Sequence, residues 1–384
     1  MIYLDYAATT PVKPGVLEAL ASEFAEVGNA SSAHSAGRRA RRVVEEAREA
    51  VAELVGALPG EVVFTSGGTE ADNLAVKGLF EAAHASEPQR RVVAISNVEH
   101  PAVSETAAAL VARGAEVLEL PVDRDGVVSV ERALELLEPE SERLALVSLM
   151  WVNNELGTVQ PVAELAHAVG DWGVATHSDA VQAVGPLEID FKASRLSALS
   201  LSAHKLGGPQ GVGALVLDRG AKCTPQSHGG GQERDLRSGT LSTALIAGLG
   251  EAAKLAVAER AEVNARVEWL RFELERRVAA VVPGAMFNGS RAPRIQGTSS
   301  ITLPGTDSAA LLIALDALGV CCSAGSACAA GSLKPSPTLH AIGLSAAEQL
   351  ATIRVSLGWR STESDVAAFC SALEQAVLRS KALI

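Results

Sequence analysis

Ser200-Leu201-Ser202-Ala203-His204-Lys205-Leu206-Gly207-Gly208-Pro209-Gln210-Gly211-Val212-Gly213-Ala214-Leu215 carries one lysine at the tip of an apolar run. Residues 195–201 read as a buried strand and 212–217 as another, with Gly207, Gly208 and Gly211 in the connecting turn. Lys205 is therefore expected at a strand end. A lysine walled by small and apolar residues is a candidate for a desolvated amine, whose pKa falls because burial disfavours the charged form. Such an amine can form a Schiff base. The same letters also suit a surface lysine in a glycine-rich hairpin, and the rest of the chain decides between the two.

At 384 residues the chain exceeds the roughly 250–300 at which single cores stop growing, so two domains are expected. Hydrophobic residues make up 48% but aromatics only 3%, so the core must be packed from Ala, Val and Leu between helices and strands, which suits an α/β protein. A formal net charge of -12 argues against holding nucleic acid or an anionic membrane through the overall field. Met1-Ile2-Tyr3-Leu4-Asp5-Tyr6 lacks the basic and apolar regions of a secretory signal. No apolar run reaches membrane-spanning length; residues 309–322 are broken by Asp316 and read as a buried helix running into a strand. A cytoplasmic protein is expected. Five cysteines, Cys223, Cys321, Cys322, Cys328 and Cys370, are an odd number for a disulfide framework. Buried thiols, a metal site or a reactive thiol remain.

From Leu17 onward helical patterns alternate with short Val/Ile-rich runs. In the helix predicted over 36–54, Arg38, Arg39, Arg41 and Arg42 are followed by Glu45, Glu46 and Glu49, the pattern of a salt-bridged surface helix. A strand over 61–64 leads through Thr65-Ser66-Gly67-Gly68-Thr69-Glu70 into a helix. Free N–H groups and the positive end of the helix dipole there form a cradle for a phosphate, although a plain capped helix has the same look. Strands over 92–95, 144–149 and 174–177 end in His100, in Asn153-Asn154-Glu155, and in Asp179 with Gln182. Any one of these could be structural. Together Thr69, His100, Asn154, Asp179, Gln182 and Lys205 all follow predicted strands, which argues for one crevice along a single sheet edge, where open α/β sheets bind ligands.

Residues 227–240 are too polar and glycine-rich to pack a core and read as a solvated loop. A long helix over about 244–278 then bridges to a second domain. There Cys321 and Cys322 continue an apolar strand, while Cys328 sits among Gly, Ala and Ser, whose small side chains leave its thiol accessible. A zinc site from these three is disfavoured, because adjacent cysteines rarely reach one metal and no CxxC pair or nearby histidine accompanies them. Cys223 and Cys370 read as inert buried thiols. Arg354 falls inside a strand over 353–358, a costly place unless the guanidinium has an anionic partner.

Leu4-Asp5-Tyr6-Ala7-Ala8-Thr9-Thr10-Pro11, Thr65-Ser66-Gly67-Gly68-Thr69-Glu70, Asn153-Asn154-Glu155, Ser202-Ala203-His204-Lys205, Arg237-Ser238-Gly239-Thr240 and Ser323-Ala324-Gly325-Ser326-Ala327-Cys328 follow one another in this order. End to end, the chain resembles the pyridoxal-phosphate cysteine desulfurases of the NifS/IscS type, within the class V aminotransferase group. The resemblance implies an α/β protein with the PLP-dependent aminotransferase type I-like fold: a mainly parallel central sheet flanked by helices, plus a smaller α/β domain. Residues 15–255 would form the large cofactor-binding domain, and 1–14 with 256–384 the small domain carrying Cys328.

By the same resemblance, Lys205 holds pyridoxal 5'-phosphate as a Schiff base, and Asp179 pairs with the pyridinium nitrogen, keeping the ring an electron sink. Gln182 would bond the ring hydroxyl and His100 stack on the ring and move protons. Gly68, Thr69, Ser202 and His204 would hold the phosphate, and Thr240 the phosphate of the other subunit, which implies a homodimer. Arg354 and Asn154 would bind the carboxylate of L-cysteine. The amine of Lys205 then takes the Cα proton, the thiolate of Cys328 attacks the substrate sulfur, and alanine and a persulfide on Cys328 result. The sulfur passes to an acceptor protein in iron-sulfur cluster assembly, tRNA thiolation or DNA phosphorothioation; direct nucleic-acid binding, a membrane and a metal are not expected. Two departures stand out. Cys321 and Cys322 are extra thiols near the loop, read as packing residues. The chain stops at Ile384, soon after its last predicted helix, whereas some relatives carry a longer tail that docks a scaffold. A selenocysteine lyase or another class V lyase or transaminase is the alternative, a plain transaminase having no need of a loop thiol.

Overall fold

The computed structural model describes residues 1–324 and 336–381. β1 (Ile2–Tyr3) starts the chain. β2 (Val62–Thr65), β3 (Val92–Ser96), β4 (Glu116–Leu120), β5 (Leu144–Ser148), β6 (Ala175–Asp179), β7 (Ala198–Ser202) and β8 (Gly213–Leu217) build a seven-stranded sheet in the order β2-β8-β7-β6-β5-β3-β4. Strands β3 to β7 pair in parallel, and β8 alone runs antiparallel to both its neighbours. The expected mainly parallel sheet is present. Parallel strands covered on both faces must be apolar along their length. Accordingly β3 (Val-Val-Ala-Ile-Ser) and β5 (Leu-Ala-Leu-Val-Ser) are buried throughout, whereas the edge strand β4 exposes Glu116 and Glu119. Those charges blunt an edge that would otherwise invite pairing with another chain.

The second region holds β9 (Met286–Asn288), β10 (Thr298–Thr302), β11 (Val320–Cys321), β12 (Ser323–Ala324) and β13 (Thr352–Ser356). β12-β13-β10-β9 form an antiparallel sheet, while β11 pairs in parallel with β1. The N-terminal strand is thus carried to the far end of the chain. Helix Thr243–Val281 joins the regions: 39 residues span about 58 Å at 1.5 Å per residue. Ile246, Leu249 and Ala253 pack into the core of the large sheet, and Val267, Leu270 and Leu274 into a separate core with Leu4, Ile353, Val355 and Phe369. Each fully buried side chain of that size contributes roughly 1.5–3 kcal/mol. The helix therefore changes client partway along its length.

Helix Ser35–Val55 carries an expected surface pair, Arg42 with Glu46 at 3.7 Å, while its Arg39 pairs instead at 2.9 Å with Glu23 of helix Pro14–Phe24. Its Arg48 turns inward, donating to Glu233 through Nη1 and Nη2, both at 2.8 Å, with the guanidinium 4.7 Å from the Phe64 ring centre. Glu233 is 1% exposed and also accepts the Phe64 N–H at 2.8 Å. This corrects the solvated-loop expectation at Glu233, while residues 227–230, 234, 235, 239 and 240 are exposed as that reading requires. Polar letters predict solvent unless a buried cation supplies the missing partner, and here one comes from a helix 185 residues earlier.

Candidate active site

Four predicted residues meet at the carboxyl ends of the parallel strands. Asp179 closes β6, is 5% exposed, and accepts the Val181 N–H on Oδ1 at 2.9 Å. His100 follows β3 as the N-cap of helix Pro101–Leu110, where Nδ1 accepts the Ala102 N–H at 3.1 Å. That bond leaves the proton of a neutral ring on Nε2. A ring nitrogen of His100 and a carboxyl oxygen of Asp179 lie within 4.8 Å of each other. Burial pulls the His100 pKa below its ordinary value and pushes that of Asp179 up, and each of the two opposes the other's shift.

Lys205 ends a short 3-10 turn, Ala203–Lys205, right after β7, as the strand-end reading requires. Its Nζ donates to the carbonyl of Ala8 at 2.9 Å and to that of Ala7. Gln182 donates to the same Ala7 carbonyl at 2.8 Å. The N-terminal segment is therefore threaded along the crevice. It is tied there by Thr10, which donates through N and Oγ1 to the His204 carbonyl at 2.9 and 2.7 Å, and by His204 Nδ1, 3.1 Å from Thr9 Oγ1. Burial, with the Lys205 charge adding to it, lowers the His204 pKa to about 4. His204 is neutral near pH 7.

Beside this segment a pocket is lined by Ala8, Thr9, Ser66 to Glu70, Ser202 and His204. Helix Gly68–Ser86 begins in it, and no side chain caps its N-terminus. A Cβ at Gly68 would come within 2.8 Å of Val181 Cγ2, so only glycine lets the turn close over the strand ends. A Cβ at Gly213 would meet the Leu201 carbonyl at 2.6 Å and the Gly67 backbone at 2.7 Å, which brings this turn against β8. Uncapped N–H groups, a helix dipole and flanking hydroxyls suit a phosphate. A buried carboxyl, an imidazole and a lysine a short way off suit a protonated pyridine with a carbonyl. The residues present fit pyridoxal phosphate. Thr240, by contrast, is exposed and lies outside the lining of its own chain's pocket.

Arg354, in β13, is 2% exposed. Its Nη2 meets Asp5 Oδ1 at 2.9 Å and its Nη1 donates to the Asn154 carbonyl at 3.0 Å. The anionic partner that its position demands is therefore already supplied from within the chain, by a residue sequence reasoning did not single out. Asp5 Oδ2 also accepts from Ser323 at 2.7 Å. Asn153, not Asn154, shapes the turn after β5: its Oδ1 accepts the N–H groups of Glu155 and Leu156, both at 2.9 Å. Cys328 lies outside the described residues. Burial pushes the thiols of Cys322 and Cys223 up to about 12 and that of Cys370 to about 11, which fits packing roles.

Sequence reasoning also passed over two residues beside this site: Asp72, which is buried, and Glu99, whose Oε2 is buried. Asp72 stands three residues after Thr69, a spacing that puts both on one helix face. Among the described residues, no helix is long and apolar enough to cross a membrane.

The sequence pattern of the family described as aminotransferase class-V matches residues 2–369. An IscS-like cysteine desulfurase of Mycobacterium tuberculosis is 49% identical over 383 residues, covering 99% of this chain and 97% of that one. Among solved structures, the NifS-like protein of Rickettsia africae is similar with a TM-score of 0.88 at 33% identity, covering 98% of this chain and 99% of that one. SspA, solved in complex with cysteine, gives a TM-score of 0.80 at 35% identity, with 93% and 99% covered.

Proposed function

The chain belongs to the class-V aminotransferases, among the cysteine desulfurases of the IscS/NifS type, and on that footing we propose that it is itself a cysteine desulfurase that takes sulfur from L-cysteine with the help of pyridoxal phosphate. The observation that carries this reading is the meeting of Asp179, His100, Gln182, Lys205 and an uncapped helix N-terminus along one sheet edge. When bound there, the cofactor supplies an electron sink for carbanion chemistry at the substrate Cα. Lys205 would hold it, with Asp179 at the ring nitrogen, Gln182 at the ring hydroxyl, and Gly68, Thr69, Ser202 and His204 at the phosphate.

The Lys205 amine would take the proton from the substrate Cα and return protons to the carbon skeleton. His100, neutral and with its N–H on Nε2, would exchange a proton with the substrate or Cys328 sulfur. Arg354 and Asn154 orient the substrate carboxylate, and for Arg354 this means sharing a guanidinium that Asp5 already holds. Cys328 attacks the substrate sulfur as a thiolate: an S–S bond forms and the Cβ–S bond breaks. The electron pair stays with carbon, which becomes the methyl group of alanine once protonated. Cysteine and the Cys328 thiol thus give alanine and a persulfide, with no outside oxidant. The persulfide then passes to an acceptor protein in iron-sulfur cluster assembly, tRNA thiolation or DNA phosphorothioation. The working form is a cytoplasmic homodimer in which Thr240 reaches the partner's phosphate.

The test is a visible spectrum, then alanine and sulfide release from L-cysteine with a thiol reductant, for wild type and Cys328→Ala. A cofactor band in both proteins with sulfide from wild type alone is the expected result. Equal sulfide release by Cys328→Ala would overturn the thiol assignment, and absence of the band after added cofactor would overturn the whole reading. Comparing rates on cysteine and selenocysteine separates the lyase alternative.

A further inference from the structure

Behind Asp179 lies a set of polar side chains that the chemistry above leaves unused. Asp72, on helix Gly68–Ser86, is 1% exposed. One of its carboxyl oxygens stands within 4.8 Å of both an Asp179 oxygen and a His100 ring nitrogen, and its Oδ1 is buried with no hydrogen-bond partner. His177 Nε2 lies 3.6 Å from that Oδ1 and 2.9 Å from Ser200 Oγ, and His177 Nδ1 lies 2.9 Å from Ser148 Oγ. The groups that face Asp72 are therefore Asp179 and His177 of β6, Ser200 of β7, and Glu99 and His100 after β3.

Two carboxyls this close and walled from water cannot both carry charge near pH 7. Their partners decide which one keeps its proton. Asp179 accepts the Val181 N–H and has Lys205 and His100 nearby, all of which favour its anion. Among the described residues no lysine or arginine pairs with Asp72, and its one hydrogen bond, to Ser200, favours the anion but is outweighed by burial and by Asp179. The nearest base, His177, is fully buried and its pKa is pushed down to about 3, so it stays neutral. Burial first, and then Asp179, pushes the Asp72 carboxyl well above its usual range.

Resting on the cofactor reading above, we infer that Asp72 is a positioning residue that works as an uncharged carboxylic acid: it ends the Ser148–His177–Ser200 hydrogen-bond chain and leaves Asp179 to carry the negative charge at the ring nitrogen. An ionised Asp72 would place a second charge behind the ring. An uncharged one fixes the wall of the pocket and adds none.

Infrared difference spectroscopy on the full-length protein near pH 7 reads this state without turnover. Wild type minus Asp72→Asn should show the carbonyl band of an un-ionised carboxyl. In the loaded protein, Asp72→Asn should leave the pH midpoint of the visible cofactor band in place, whereas Asp72→Ala should release cofactor about tenfold faster, the loss of roughly one hydrogen bond. A carboxylate band in the infrared difference, or a midpoint lowered by about one pH unit in Asp72→Asn, would overturn the inference. So would an Asp72→Ala protein that holds its cofactor like wild type. A wild type with no visible band would instead sink the cofactor reading, and the infrared difference would still decide the charge of Asp72.

Discussion

At the large sheet, Asp179, His100 and Lys205 each follow a strand, and neighbouring strand ends bring them together; at the small sheet, Arg354 sits inside β13 and reaches Asp5, 349 residues away. The first arrangement is made by backbone topology. Parallel pairing from β3 to β7 would keep those strand ends adjacent even if one side chain were changed. The second hangs on one ion pair whose side chains are 3% and 17% exposed. A functional group set by topology can be removed with little harm to the fold, while one set by a buried charge cannot.

The sharpest way to break this contrast is Lys205→Ala. Turnover should fall about 10⁴-fold, the upper range for a lost proton-transfer group, while the melting temperature stays near that of wild type. A large loss of stability would show that the strand-end region depends on its side chains after all. Next comes Arg354→Ala, which strands Asp5 without its partner. Denaturant unfolding should report a loss of about 3–5 kcal/mol, and Asp5→Asn a smaller one, since it keeps a hydrogen-bond acceptor. If Arg354→Ala is as stable as wild type, the small-sheet region is not organised by this pair. Glu233→Ala should cost less than Arg354→Ala, because the buried Arg48 keeps its ion pair with Glu45 at 3.2 Å and its bond to the Val62 carbonyl at 2.7 Å.

The smallest effect sharpens the comparison through pH. Glu99 is half-buried, but its carboxyl Oε2 is shut off from water without a hydrogen-bond partner, and the carboxyl is pushed up to about 8, mainly by burial. The folded chain holds this proton at pH values where the unfolded chain has released it. Stability from Glu99 is therefore complete below the unfolded carboxylate range, near 4.5, and is lost as pH rises through about 8. Relative to Glu99→Gln, wild type should lose melting temperature across that window. His177, with its pKa at about 3, works in the other direction: its stability is complete above the unfolded histidine value of 6.5 and is lost as pH falls toward 3. A flat difference between wild type and Glu99→Gln would remove Glu99 from the account.

Much of the strand-end region was legible beforehand. The Val- and Ile-rich runs, each closed by polar residues, marked the strands of the large sheet within a few residues except the edge strand β4, and their repetition pointed to one sheet edge. The glycine turn was legible too, since strand, paired glycines and helix start follow in sequence. Partnerships were not. Arg354 announced that it needed an anion but not which one, and Glu233 looked solvated because Arg48 was out of view. Asp72, two residues past the Thr65–Glu70 turn, could not be told from a surface residue, because a helix-face aspartate looks the same in sequence whether it faces water or a second carboxyl.

The sequence by itself determined where most strands of the large sheet lie along the chain, the glycine turns and the kinds of side chain delivered to the crevice, because hydrophobic period and backbone allowance are local properties of neighbouring letters. Only the tertiary structure decided which charges are neutralised and which protons are kept. Charge state in a buried site depends on desolvation and on groups a few ångströms away, and in this protein those groups come from segments as far apart as residues 5 and 354.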